Sequence, residues 1–200
     1  MKNNKGFTII EMMIAIALFV IIVELGIGAA LNTTDLHNKT KALRALEDNL
    51  SFVMEDMSRN IRLGTNYHCF NSGETVGPSA SIENPQDCPN NSGVVAIESF
   101  NGASGNANDQ IIYAITGSGN LQKSKNGGTT FANLNSTNNN EKISFDVLRS
   151  GFTVIGSDNL ASNDYSQPRV IIRLSGSIEY KSQDYPFNIE TTVSARATDD

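Results

Sequence analysis

Tryptophan is absent from the 200 residues, and histidine and cysteine occur only twice each. Two histidines leave little room for acid–base or metal chemistry, and neither His37 nor His68 lies in a nucleophile or metal motif. His37 is expected on a solvated helix surface. His68 adjoins Cys69, but a zinc site takes four protein ligands, or three and a water. Asp158, Asn159, Asn163 and Asp164 could offer oxygens to calcium, yet the EF-hand order is missing, and a polar loop is expected there. Basic residues are also scarce: 15 Lys and Arg against 21 Asp and Glu, a net charge of −6. Phosphate binding needs clustered Lys and Arg, so a general nucleic-acid binder is disfavoured. Neither an enzyme nor a resident cofactor is indicated.

What the chain does have is a long apolar run. Phe7 to Leu31 contains only two ionisable side chains, Glu11 and Glu24. These 25 positions span about 37 Å as a helix, enough to cross a hydrocarbon core of about 30 Å. Lys2 and Lys5 precede the run, so the positive-inside rule keeps Met1 in the cytoplasm and exports the remainder. A secretory signal is the rival reading, with Gly28-Ala29-Ala30 as its cut site. An h-region of 7–15 residues is usual, however, and this run is longer and carries carboxylates. A charged side chain at a membrane helix centre costs about 2.5–3.5 kcal/mol even on insertion scales, which marks Glu11 as functional. Glu24, about 26 Å beyond Phe7 along a helix, falls near the outer headgroups or contacts another subunit.

Lys5-Gly6-Phe7-Thr8-Ile9-Ile10-Glu11 resembles the class III signal of type IV prepilins and pseudopilins. The resemblance implies a leader of residues 1–6, cut after Gly6 by a membrane prepilin peptidase that also methylates the new amine of Phe7. It implies that Glu11 meets the terminal amine of a neighbouring subunit and sets the axial register, a use of a buried ion pair for specificity. The bland alternative is a Glu11 that snorkels to the headgroups. Implied partners are other pilins or pseudopilins and an inner-membrane assembly platform. The implied location is the cytoplasmic membrane as a single pass with the head outside, then the cell surface. Type IV pili, type II secretion and competence pili all fit, while the phenylalanine-type signal disfavours an archaellum-like apparatus. DNA uptake would need a basic patch, and only scattered Arg149, Arg169, Arg173 and Lys181 are available. An adhesive module displayed by the filament, or an anchored ectodomain that never polymerises, are the competing functions.

Beyond the membrane-length run, Leu36, Leu43, Leu46, Leu50, Val53 and Met57 form an amphipathic stripe flanked by Met54 and Ile61. Arg44, Glu47, Asp48, Glu55, Asp56 and Arg59 mostly fall away from it. Arg62 and Gly64 supply a stop signal, so the helix has a membrane half, 7–31, and an amphipathic half, 32–63. Gly26-Ile27-Gly28 either loosens the helix or is run through. Residues 64–200 are expected to form a β-rich head. Its strands are Gly93–Phe100, Gln110–Thr116, Asn120–Ser124, Thr129–Leu134, Lys142–Leu148, Phe152–Ile155, Arg169–Tyr180 and Tyr185–Ala195. The fold class is α+β, a pilin-like long helix covered by one antiparallel sheet. Asn135–Glu141 reads as a flexible surface loop. Ser124-Lys125-Asn126-Gly127-Gly128-Thr129-Thr130-Phe131 resembles an Asp-box hairpin with Asn126 in place of its Asp. The closing hairpin and the helix pattern together resemble large minor pilins and the J-type pseudopilin of type II secretion. In an exported, oxidising compartment Cys69 and Cys88 favour a disulfide, worth about 3 kcal/mol for a loop of this length.

Overall fold

Each element follows from where the apolar residues fall. The computed structural model describes residues 6–71, 74–77, 80–103, 105–135, 137–138, 141–157, 167–180 and 183–196. Helix α1 runs without a break from Ile9 to Leu63, straight through Gly26 and Gly28. The chain divides into two compact units between Arg44 and Ala45.

In the first unit every residue from Gly6 to His37 is exposed, and the helix carries no cover of its own.

In the second unit Leu46, Leu50, Val53, Met57 and Ile61 recur at spacings of three and four, and all five are buried. Leu36 and Leu43 extend that stripe in the sequence but stay exposed, as does Phe52 off its edge. Not one sheet but two meet this stripe. The first has five antiparallel strands in the order β1-β3-β4-β5-β6: β1 (Thr65–Cys69), β3 (Val94–Glu98), β4 (Ile111–Ile115), β5 (Leu121–Ser124) and β6 (Ala132–Asn133). The second follows the order β2-β9-β10-β8-β7: β2 (Cys88–Ser92), β9 (Gly151–Ile155), β10 (Arg169–Tyr180), β8 (Glu141–Phe145) and β7 (Thr137–Asn138). Strand β11 (Gln183–Ser194) pairs with β10 along all twelve residues. A short 3₁₀ turn covers Ala80–Glu83.

Strands β3 and β4 read as nearly continuous apolar runs because both of their faces are covered. Val95, Ile97, Ile111, Tyr113 and Ile115 join the main core with the helix stripe. Their alternates Ala96 and Ile112 pack with Phe70 and Ile82 in a smaller cluster. The eight strand positions expected from hydrophobic runs are all occupied, most in trimmed form. Three further strands carry no such run. Strand β1 alternates apolar Tyr67 and Cys69 with polar residues, β2 reads CPNNS, and β7 is two residues long. They are held by position: β2 lies at a sheet edge and pairs only with β9.

The expectation of a loose loop at Asn135–Glu141 needs correcting at the residues described there, while residues 136, 139 and 140 lie outside the described residues. Asn135 is buried, its side chain accepting from Leu121 N at 3.2 Å and donating to Ile143 O at 2.9 Å. It ties the first sheet to the second. Nearby, Thr137 and Asn138 pair with Lys142 and Glu141.

The helix ends where packing leaves no room for a side chain. A Cβ on Gly64 would lie 2.4 Å from Ile97 Cγ2 and 2.7 Å from Glu98 O. Tyr67 then caps the last turn, its hydroxyl donating to Ile61 O at 2.6 Å and to Gly64 O at 2.7 Å. Burial pushes the Tyr67 hydroxyl above its ordinary pKa, so it stays a donor across the working pH range. Gly64→Ala forces the helix end away from β3 and is expected to cost about 1–3 kcal/mol. Chemical denaturation of the full chain in detergent checks this, and an unchanged midpoint would count against the close contact.

Candidate functional site

In the first unit, Gly6 and Phe7 lead into a capped helix start. Thr8 Oγ1 accepts from Glu11 N at 3.3 Å, and Thr8 O accepts from Met12 N at 3.2 Å. Thr8 is therefore the N-cap, and Glu11 sits three residues on, where the helix dipole favours a negative charge. The signal for this cap was in the sequence: Thr8-Ile9-Ile10-Glu11 has the T-x-x-E spacing of a capping box. Glu11 thus combines a local role with an exposed position on an otherwise apolar surface. Residues 1–5, and so most of the expected leader, lie outside the described residues. Helix α1 is long and apolar enough to cross a membrane, and none of its most apolar stretch is buried. His37 is exposed, as expected.

In the second unit Cys69 and Cys88 form a disulfide with their Cα atoms 5.7 Å apart. It joins the end of β1, in the first sheet, to the start of β2, in the second. The chain between them is drawn in beside it. Gln86 O accepts from Cys69 N at 3.0 Å, while its side chain donates to Cys69 O at 2.8 Å. His68 is buried in the same network, with Nδ1 2.8 Å from Asn84 O, Nε2 3.6 Å from Glu74 and its ring edge-on to Phe70. That makes it a packing residue. Among the described residues no three His, Cys, Asp or Glu side chains form a group that could hold a metal. The calcium-like oxygens at Asp158, Asn159, Asn163 and Asp164 lie outside the described residues.

One charged site was missed in the sequence. Asp56 does not fall away from the core stripe as expected. It accepts from Lys123 Nζ at 2.8 and 2.7 Å and from the Tyr113 hydroxyl at 2.7 Å. Asn60 donates to both Asp56 Oδ1, at 3.2 Å, and the Tyr113 oxygen, at 2.8 Å. Lys123 is only 8% exposed and Asp56 26%. Burial acts to raise the Asp56 carboxyl, but the Lys123 and Tyr113 hydrogen bonds and the Lys123 charge outweigh it, so its pKa is lowered. Lys123 is a single cation within a strand-like run, and nothing in the local sequence says which helix residue it will meet.

The Asp-box-like stretch forms a closed turn. Asn126 Oδ1 accepts from Ser124 Oγ at 2.8 Å and from Thr130 N at 3.0 Å, and Ser124 Oγ accepts from Gly128 N at 2.9 Å. Two of the scattered arginines have acidic partners. Arg149 pairs with Asp146 at 3.5 Å and Arg173 with Glu190 at 2.9 Å, while Lys181 lies outside the described residues.

Residues 1–23 match the family model for the prokaryotic N-terminal methylation motif. The chain carries this methylation motif at its N-terminus. Its long helix packed on antiparallel sheets is a pilin-like architecture. The pilin-like protein PilA3 of Thermus thermophilus is 30% identical over 71 residues, which cover 35% of this chain and 30% of that protein. The match thus spans less than a third of the relative's length. No solved structure matches the chain.

The lowered pKa of Asp56 fixes the sign of a pH test. Its pairing stabilises the fold fully above the ordinary aspartate value of 3.8, and that contribution is lost as pH falls through the lower folded value. Asp56→Asn, which strands the buried Lys123, is expected to destabilise the head by about 1–3 kcal/mol at neutral pH. Denaturation midpoints of wild type and variant should converge in strong acid; a gap that stays constant with pH would rule out this pairing as its source.

Proposed function

We propose that the chain is a minor pilin or pseudopilin, a structural subunit assembled into a type IV pilus or a type II secretion pseudopilus. The observation that supports this most is the uncovered helix. Every residue from Gly6 to His37 is exposed, and within it Phe7–Leu31 is apolar on all sides. Such a surface requires lipid, then other apolar helices. A filament core supplies the second after the membrane supplies the first.

In this reading residues 1–6 are a leader, 7–31 the membrane and filament-core half, 32–63 the amphipathic half and 64–200 the head. Hydrolysis between Gly6 and Phe7 leaves an amine on Phe7, which the prepilin peptidase then methylates. The amine remains cationic and can neutralise Glu11 of a neighbour, so the cost of burying that carboxylate favours one axial register. The partners are the peptidase, other pilin-like chains and an inner-membrane assembly platform. The role is structural and asks for no cofactor or catalysis. The long closing hairpin of β10 and β11 supports a minor subunit over the bulk one, by resemblance of pattern. Paired Arg149 and Arg173 give DNA binding no support.

Mass spectrometry of the mature chain tests the reading directly. A start at N-methylated Phe7 is expected, with loss of Lys2 and Lys5 taking the side-chain charge from −6 to −8. An intact Met1, or a start at Leu31, rejects it. Glu11→Ala should be processed normally yet fail to enter filaments. Equal recovery of wild type and variant in sheared fibres would remove Glu11 from the register role.

A further inference from the structure

We propose that Glu98, Asp109 and Gln110 bind a calcium ion between the end of β3 and the start of β4. The two strands run antiparallel, with Ile97 opposite Ile111. Glu98 and Gln110 are the next residues outward, so they face each other across the strands, and Asp109 ends the connecting loop.

Each of the three side chains has an oxygen that is buried and without a hydrogen-bond partner: Glu98 Oε1, Gln110 Oε1 and Asp109 Oδ1. Glu98 is 7% exposed and Gln110 0%. Buried acceptors are almost always satisfied, so orphan oxygens on three neighbouring residues of one strand–loop junction point to a missing partner. The remaining atoms of the same groups are held. Gln110 Nε2 donates to Glu98 Oε2 at 3.2 Å, which joins the amide to the carboxylate across the two strands. Asp109 Oδ2 accepts from Ala103 N at 2.8 Å and from Asn106 Nδ2 at 3.0 Å, leaving Oδ1 free. Gly102 shows how closely the carboxylates approach. The position where its side chain would begin lies 2.2 Å from Glu98 Oε1, 3.0 Å from Ser99 O and 3.3 Å from Asp109 Cγ.

The charges do not balance by themselves. Burial raises the Glu98 pKa, and the negative charges of Asp109 and Glu83 add to it, with only the Gln110 hydrogen bond opposing. A single proton on Glu98 can satisfy one orphan oxygen. A cation can take all three at once.

The donor set selects the ion. It is all oxygen, two carboxylates and an amide with main-chain carbonyls close by, which suits a hard cation and no thiophilic metal. An irregular loop cannot impose the octahedron that magnesium demands, whereas calcium accepts six to eight oxygens in flexible arrangements. Glu83 is not a third carboxylate ligand: its Oε1 is engaged by Ala107 N at 3.0 Å, and no three acidic groups form a metal-holding cluster among the described residues. Two carboxylates place the affinity with extracellular modules, at a Kd of about 10⁻⁴–10⁻³ M.

Thermal unfolding of the EDTA-treated full chain in detergent micelles at neutral pH tests this, with calcium chloride or magnesium chloride added. Calcium should raise Tm with half-saturation in the submillimolar to millimolar range, and magnesium should do much less. Glu98→Gln removes a buried charge while keeping the shape. It should melt higher than wild type in EDTA and lose the calcium response. Asp109→Asn should weaken the half-saturating concentration by about tenfold or more. A wild type whose Tm ignores calcium overturns the site. So does a calcium response of equal size in Glu98→Gln, and a cluster stabilised by acid alone shows that a proton, not a metal, satisfies it.

Discussion

Apolar surface without a cover is the constraint on which everything else in this chain depends. From Phe7 to Leu31 the helix is hydrophobic on all sides, and the fold offers no residue to bury it. In water that surface would drive aggregation, so the chain is only stable where lipid or other helices supply what the fold does not. The amphipathic half solves the same problem internally. Its stripe of Leu46, Leu50, Val53, Met57 and Ile61 is covered by residues of both sheets. One helix therefore uses two opposite devices, and the switch between them is visible as a change from all-round to one-sided hydrophobicity.

That switch was legible in the sequence, and so was most of the head. Runs such as Val94–Glu98 and Ile111–Ile115 announce themselves because both faces are buried and no polar alternate interrupts them. What could not be read were features that exist only through distant partners. CPNNS has no apolar pattern, and it becomes a strand because Cys88 is bonded to Cys69 and its backbone finds β9. Asn135, in a stretch of low complexity, is buried because Leu121 and Ile143 present it with a donor and an acceptor. The same reason explains why two sheets stand where one was expected: the Cys69–Cys88 disulfide and the Asn135 hydrogen bonds that tie them together join residues far apart in the chain.

The helix cap at the N-terminus is legible for a different reason. Thr8 and Glu11 are three residues apart where the helix begins, so sequence spacing is spatial arrangement there. Thr8 Oγ1 accepts from the Glu11 main-chain N–H, and the same first turn favours the Glu11 carboxylate through the helix dipole. A short motif carries more information per residue in such a place than anywhere in the head, where partners are tens of residues apart.

Three carboxylates show how far location decides chemistry. Asp56 leaves the helix surface and is met by Lys123, Tyr113 and Asn60, so burial cannot keep its pKa up. Glu98 is buried near the negative charges of Asp109 and Glu83, and its pKa rises, burial being the larger cause. Glu11 lies exposed in the first turn of the helix on an apolar surface, where a partner that buried it would have to bring a compensating charge. The first carboxylate is balanced by the fold itself. The second calls for something small enough to enter a loop. In the proposed subunit the third is balanced by a neighbour whose own end is positively charged, which would make the processing of Phe7 and the position of Glu11 one physical requirement.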